Sequence, residues 1–293
     1  MKVLVFGSGG QLGQVLRRTT PYRDAIFLDR AAVDLCDRGA IERALHAARP
    51  ELVINAAAYN AVDRAESETD LAHAINELAP ATMASACSAL GARFIHLSTD
   101  YVFDGAISRP YRPDDVANPR NAYGRSKLAG ERQVHAAGAA HLVIRTAWVY
   151  SEVGRNFLPT ILERARTQPR LRVVTDQVGS PTSAWSLADA IWRAARRADC
   201  VGTVHFTDGA ELSRYDFVAA ILGAAATRGL LPMRVVVEAV SAAQFAAENP
   251  ATAVRPAYSV LDSNGLRRQL DMRDTDWKEA LHAVMNRYVA SNG

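Results

Sequence analysis

The stretch Val3-Leu4-Val5-Phe6-Gly7-Ser8-Gly9-Gly10-Gln11-Leu12-Gly13 decides the fold. A short apolar run ends in glycines spaced GxxGxxG, and a helical pattern opens inside the same segment, over residues 11–18. Gly7 allows a tight turn out of a strand, Gly10 lets the backbone approach a pyrophosphate at a helix N-terminus, and Gly13 permits close packing of helix on strand. A glycine string alone is often no more than a turn. Its position argues for more. It follows an apolar strand, and Asp29 stands about 20 residues beyond, where an acid binds the adenosine ribose hydroxyls of a dinucleotide. Arg30 beside it leaves the cofactor open between NADPH and NADH, since an arginine accommodates a 2′-phosphate while the aspartate favours the free diol.

Outward from this loop, short apolar runs at 2–6, 25–29, 52–55, 93–98 and 142–146 alternate with helical patterns at 11–18, 39–48, 71–90 and 123–137. Runs such as Leu52-Val53-Ile54 lack the polar alternation of a one-sided sheet, as strands covered by helices on both faces do. The expected fold is α/β, a doubly wound, Rossmann-like parallel sheet. After about Tyr150 the rhythm loosens, with Pro159, Pro169, Pro181, Pro232, Pro250 and Pro256 breaking the chain into shorter pieces. Residues 1–150 are expected to form the dinucleotide-binding domain, with later segments returning to it, and 151–293 a smaller, mainly substrate-binding portion.

The 34 basic and 31 acidic residues leave a net charge of +3, and basic residues cluster no further than pairs such as Arg17-Arg18 and Arg267-Arg268. Without a polybasic tract, neither nucleic acid nor an anionic membrane is an expected partner. The apolar start is too short for a signal peptide and no later run approaches about 18 apolar residues, so a cytoplasmic location is expected. Cys36, Cys87 and Cys200 are odd in number and far apart, which fits reduced thiols. No HxxxH pair or Cys-His cluster marks a metal site. Lysine occurs at only three positions, Lys2, Lys127 and Lys278, which makes each position informative.

In Tyr123-Gly124-Arg125-Ser126-Lys127 the tyrosine and lysine are four apart on a predicted helix and share a face. An ammonium held close to a phenol stabilises the phenolate and moves a group with a pKa near 10 towards useful acid–base strength. A surface contact is the plainer reading. The segment His96-Leu97-Ser98-Thr99-Asp100-Tyr101-Val102-Phe103 brings small hydroxyls to the carboxyl edge of the fourth strand, where open α/β sheets bind ligands. Thr99 is placed to donate a hydrogen bond to a substrate carbonyl, with Asp100 as a second contact or a turn former.

Together, Gly7-x-x-Gly10-x-x-Gly13, Asn55-Ala56-Ala57-Ala58, Ser98-Thr99-Asp100-Tyr101-Val102-Phe103 and Tyr123-x-x-x-Lys127 resemble the extended short-chain dehydrogenase/reductases. More narrowly, the run 55–66, Arg145-Thr146-Ala147-Trp148-Val149-Tyr150, Asp176-Gln177-x-Gly179-x-Pro181-Thr182 and Arg255-Pro256-x-x-Ser259-x-Leu261-Asp262 resemble the dTDP-4-dehydrorhamnose reductase family. The resemblance implies reduction of the C4 ketone of a dTDP-sugar by NADPH or NADH. It implies a cofactor site of Gly7, Gly10, Gln11, Leu12, Gly13, Asp29, Arg30, Asp34, Leu35, Ala58, Tyr59 and Asn60, with Tyr123 and Lys127 reaching the nicotinamide ribose. Thr99, Tyr123 and Lys127 would be catalytic, and Thr99, Asp100, Trp148, Asn156-Phe157 and Arg255 would contact the sugar nucleotide.

Plainer readings stand beside some of these: Asp34-Leu35 as helix start and core, Trp148 as core, Arg255 as a solvated arginine. Asp100 is followed by Tyr101, where a nucleotide-sugar dehydratase would be expected to carry a glutamate. A non-catalytic subunit of the same fold would have no need of the whole Thr99, Tyr123 and Lys127 set. Some members of the resembled family are dimers bridged by a metal on acids that include one in the first helix. Here that helix has no acid and Trp185 stands where another carboxylate would be expected, so the expectation is a monomer or a metal-independent dimer, with no metal ligands.

Overall fold

Apolar side chains along the first strands alternate between two helical layers. In the computed structural model, which describes residues 1–138 and 140–292, the strands β1 (Val3–Phe6), β2 (Ile26–Leu28), β3 (Leu52–Asn55), β4 (Arg93–Thr99) and β5 (His141–Thr146) are all parallel. Each lies within one residue, at either end, of the run that predicts it. A sixth parallel strand, Gly202–His205, pairs with β5. Across the sheet the order is Gly202–His205, β5, β4, β3, β1, β2, so the direction of winding reverses between β1 and β3. Ligands of such sheets bind outside the carboxyl ends of the strands at that reversal.

Val3, Val5, Ile54, Ile95, Leu97 and Ile144 cluster with Leu12, Val15 and Leu16 of α1 (Gln11–Thr19) and with Leu187 and Ile191 of the helix Ala184–Ala195. Their neighbours along the strands, Leu4, Phe6, Val53, Phe94 and Val143, cluster instead with Ile41 and Leu45 of α2 (Arg38–Ala48), with Met83 and Cys87, and with Val134. The helix Ala184–Ala195 and the strand Gly202–His205 therefore add to the layers built by the first half of the chain. A separate cluster around Leu158, Leu162, Leu171, Phe217, Ile221 and Met285 organises much of the remainder.

The helix expected over 71–90 is a composite of α3 (Thr69–His73), a π-helical segment (Ala74–Leu78) and α4 (Ala79–Leu90). Asn76, in the π segment, is buried, and its amide accepts from the Tyr59 N–H at 2.9 Å and donates to the Tyr59 carbonyl and to Ser126 Oγ, each at 3.0 Å. It thereby ties the loop after β3 to α5 (Ala122–Ala136). Among the described residues no helix is long and apolar enough to cross a membrane, and Cys36, Cys87 and Cys200 are free.

Candidate active site

The loops leaving β1, β2 and β3 join the start of α5 around a cleft of about 430 Å³. Gly7, Gly10, Gln11, Leu12, Asp29, Arg30, Asp34, Leu35, Ala58, Tyr59, Asn60, Tyr123 and Lys127 all line it. Gly13 does not: a Cβ there would lie 2.2 Å from the Gly7 carbonyl oxygen, so this glycine lets α1 pack on the loop and is not itself a cleft residue. Gly7 has φ +86°, and a Cβ on it would lie 2.5 Å from Ala57 N. At Gly10 a Cβ would meet only the Gly7 carbonyl, at 3.4 Å, so a larger side chain would occupy the cleft more than it would disturb the fold. The buried Thr146 Oγ1, which has no hydrogen-bond partner, lines the same cleft. Bare backbone at the helix start and an unpaired hydroxyl at the sheet end fit a dinucleotide laid across this edge. Asp29 Oδ1 accepts from the N–H groups of Ala31 and Ala32, at 3.1 and 3.0 Å, which fixes the turn that displays Asp29 and Arg30 together.

Asn121 caps α5 by accepting from the Gly124 N–H at 2.7 Å. A Cβ on Gly124 would lie 2.1 Å from the Tyr101 carbonyl oxygen, so the helix start rests directly on the loop after β4. That contact brings Tyr123 beside Thr99 and to the edge of the Tyr101 ring, 5.9 Å between centroids. Thr99 Oγ1 donates to Asp100 Oδ1 at 3.0 Å and accepts from the Tyr101 N–H at 3.1 Å, while Ser259 Oγ donates to Asp100 Oδ2 at 2.7 Å. Burial pushes the Asp100 carboxyl up to about 6, against those hydrogen bonds. The Thr99 proton is thus directed to Asp100, so the outward donation expected from the sequence requires Asp100 to release it.

Lys127 is buried, and its Nζ donates to the Leu97 carbonyl at 2.7 Å and lies 3.3 Å from His96 Nε2. Burial brings its ammonium down to about 8, opposed by Glu131, whose carboxylate is paired with Arg145 at 2.7 Å. The expected depression of the Tyr123 phenol by this lysine is not what the structure has. Burial holds the phenol above its usual range, Asp100 and Tyr101 add to that, and only the neighbouring Thr99 hydroxyl opposes it. The lysine nitrogen is turned back under β4, towards Leu97 and His96.

A second cleft, of about 540 Å³, reaches the other side of Tyr101 and is lined by Phe157, Gln177, Phe245, Arg164, Arg172, Arg214 and Arg255. The Arg214 guanidinium lies 3.7 Å over the Trp148 ring. Trp148 has a left-handed backbone, φ 44°, and a Cβ on Gly179 would be 2.6 Å from its indole, which accounts for a glycine at that place in the 176–182 motif. Arg255 donates to Asp63 at 2.9 Å, joining this cleft to the 55–66 run. Asn156 has a different task. It caps the helix Phe157–Thr167, accepting from the Leu158 N–H at 3.1 Å, and donates to the Ser151 and Val153 carbonyls, each at 3.0 Å. Its amide is spent on its own loop. Arg164, Arg172 and Arg214 were not singled out by sequence, because basic residues here are nearly all arginine and none of the three sits in a motif.

Among the described residues no three metal-ligating side chains converge. The buried carboxylate of Glu152 pairs with Arg18 of α1 at 3.0 Å and accepts from Trp185 Nε1 at 2.9 Å.

The chain matches the family model described as RmlD substrate binding domain over residues 1–290. It is 37% identical to the dTDP-4-dehydrorhamnose reductase of Sinorhizobium fredii over 292 residues, covering 97% of each chain. Identity to the dTDP-4-dehydrorhamnose reductase of Burkholderia thailandensis is 38%, covering 96% of this chain and 97% of that one. The solved structure of dTDP-4-dehydrorhamnose reductase from Bacillus anthracis, in complex with NADP, superposes with a TM-score of 0.90 at 32% identity, over 98% of this chain and 99% of that one.

Proposed function

The chain belongs to the RmlD substrate binding domain family, and on that premise we propose that it is an oxidoreductase reducing the C4 ketone of dTDP-4-dehydrorhamnose to dTDP-rhamnose with NADPH or NADH. The observation that carries the reading is that two clefts are divided by a single ring contact: Tyr123 lines one, Tyr101 the other, and their rings meet edge-on with centroids 5.9 Å apart. On one side is a glycine-floored cleft at the sheet's winding reversal; on the other, across Tyr101, is an arginine-lined one.

When bound, the cofactor supplies a hydride for the carbonyl carbon. The start of α1, bare at Gly10, would receive its pyrophosphate, and Asp29 and Arg30 would meet the adenosine ribose. Tyr123, a phenol protonated at neutral pH and held further from ionisation by burial, donates that proton to the substrate oxygen as charge develops there. Thr99, held on Asp100, stands beside the phenol. Lys127, whose nitrogen rests on the Leu97 carbonyl beside His96, would reach a bound nicotinamide ribose by turning out of that position. In the second cleft Arg214 and Arg255 suit a diphosphate, to which guanidinium groups can offer paired donors.

The same reading assigns cofactor binding mainly to residues 1–150 with the returning 184–205 segment, and sugar binding mainly to the rest. The protein would act in the cytoplasm, where three free cysteines stay reduced, as a monomer or a dimer that needs no metal. The test is cofactor oxidation against dTDP-, UDP- and GDP-4-keto-6-deoxy sugars. The expected result is turnover with the dTDP-sugar at the highest kcat/KM; no oxidation with any of them, or a preference for another base, would overturn the assignment.

A further inference from the structure

Behind Lys127 runs a buried hydrogen-bond chain whose direction is fixed at its far end. The Ala57 backbone N–H donates to Asn55 Oδ1 at 3.1 Å, so the amide's other end is a donor, and it faces His96 Nδ1 at 3.1 Å. Nδ1 must accept, which puts the proton of a neutral imidazole on Nε2. Nε2 in turn faces Lys127 Nζ at 3.3 Å. Asn55 and His96 are 0% exposed and Lys127 1%, so each polar atom depends on its protein neighbour. An ammonium only donates. With Lys127 protonated, one junction in the chain sets donor against donor. With Lys127 as an amine every junction is matched, from Ala57 through Asn55 and His96 to the lysine, which still donates to the Leu97 carbonyl.

We propose that His96 is a positioning residue whose Nε2–H favours the amine form of Lys127 in the free protein, so that this lysine gains and loses its proton within the working pH range. The groups that bear on Lys127 are few. Tyr123 and Glu131 share its helix, His96 comes from β4, and Arg145 of β5 pairs with Glu131. Glu131 favours the ammonium and burial the amine, while burial and the lysine together keep His96 neutral. The consequence for turnover rests on the reductase reading; the titration does not.

Three lysines make the proposal measurable. Protein labelled with ¹³C at lysine Cε gives three signals, whose shifts are followed against pH in the free protein. Lys127 should titrate at about 8, well below the free-lysine value of about 10.4. His96→Gln, whose amide can turn an oxygen to the lysine, should raise the Lys127 midpoint by at least tenfold in proton affinity. Asn55→Ala never touches the lysine but frees the ring to take the other tautomer, and it should raise the midpoint in the same direction. In both variants the corresponding limb of the kcat/KM pH profile should move with the NMR midpoint. A Lys127 that titrates at the free-lysine value of about 10.4, or a midpoint unmoved by both variants, would overturn the proposal. The shifts without turnover on any nucleotide-sugar would uphold the chain and refute the reductase.

Discussion

A phenol held above its usual pKa stays protonated until charge develops beside it, and Tyr123 is such a phenol. Tyr123→Phe removes the acid but keeps the ring edge packed on Tyr101. Turnover should therefore fall by about 10²–10⁴ while cofactor affinity barely changes; steady-state rates and a calorimetric titration check both halves, and kcat within threefold of the parent would relieve Tyr123 of its role. Asp29 and Arg30 stand together in one exposed turn at the cleft, and the proposed function makes them opposed determinants of cofactor choice. Asp29→Ala should shift the NADPH/NADH ratio of kcat/KM towards NADPH and Arg30→Ala the other way, and a ratio moved less than about twofold by both would place the discrimination elsewhere. At this scale residue types were legible because few side chains can do acid–base work at a sheet edge. Direction was not. Nothing in the Tyr123 to Lys127 spacing tells that the lysine turns back under β4, or that Asn156 spends its amide on its own loop.

The elements followed from apolar runs wherever those runs were long enough. The strand Gly202–His205 holds only Thr203-Val204 as β-branched signal, too little to stand out, and it is placed by pairing with β5. The π segment was hidden for a different reason: one widened turn leaves the 3.6-residue apolar period on either side intact. Its structural effect is concentrated in Asn76. Asn76→Ala would leave the Tyr59 N–H and carbonyl unpaired in a partly buried place, a loss of about 1–3 kcal/mol for each group that stays dry. The expected outcome is a lower melting temperature and a raised KM for the cofactor with kcat nearly kept, because the loop that carries Tyr59 and Asn60 loosens and Tyr123 does not move. A cofactor KM unchanged in a destabilised variant would separate the clamp from the binding cleft.

Across the whole molecule, the returning segment is tied down by a buried carboxylate. Asp208, just beyond Gly202–His205, accepts from the Ser183 N–H at 2.7 Å at the start of the helix Ala184–Ala195, and burial pushes its carboxyl up to about 6. A carboxyl raised above its unfolded value near 3.9 binds its proton more tightly in the folded state. The associated stability is present below about pH 4 and is lost as pH rises through about 6; Asp100 contributes with the same sign. The half-buried Asp115, lowered to about 2 mainly by its hydrogen bonds with Arg109, works the other way and loses its contribution below about pH 4. Asp208→Asn keeps an acceptor for Ser183 and removes the titration, so it should lose less stability than the parent between pH 4 and 8, by an amount on the order of 2–3 kcal/mol. Denaturant unfolding at the two pH values decides it, and equal losses in both proteins would contradict the sign argued here. The gathering of Tyr101, Arg214 and Arg255 around the second cleft, with Trp148 under Arg214, is also a property of the whole molecule. It was legible only where motif resemblance linked distant segments, since no local periodicity records which loops converge.

The central claim is that hydride reaches the C4 carbon of a dTDP-sugar while Tyr123 protonates the oxygen. Reduced nicotinamide carrying deuterium on the transferred face of its C4, mixed with dTDP-4-dehydrorhamnose and the enzyme, tests it most directly by NMR of the sugar product. The account predicts one deuterium, at C4 of the rhamnosyl ring, for each cofactor oxidised, and its near disappearance with Tyr123→Phe over the same time. Deuterium at another sugar carbon, or product formed without net oxidation of the cofactor, would contradict it.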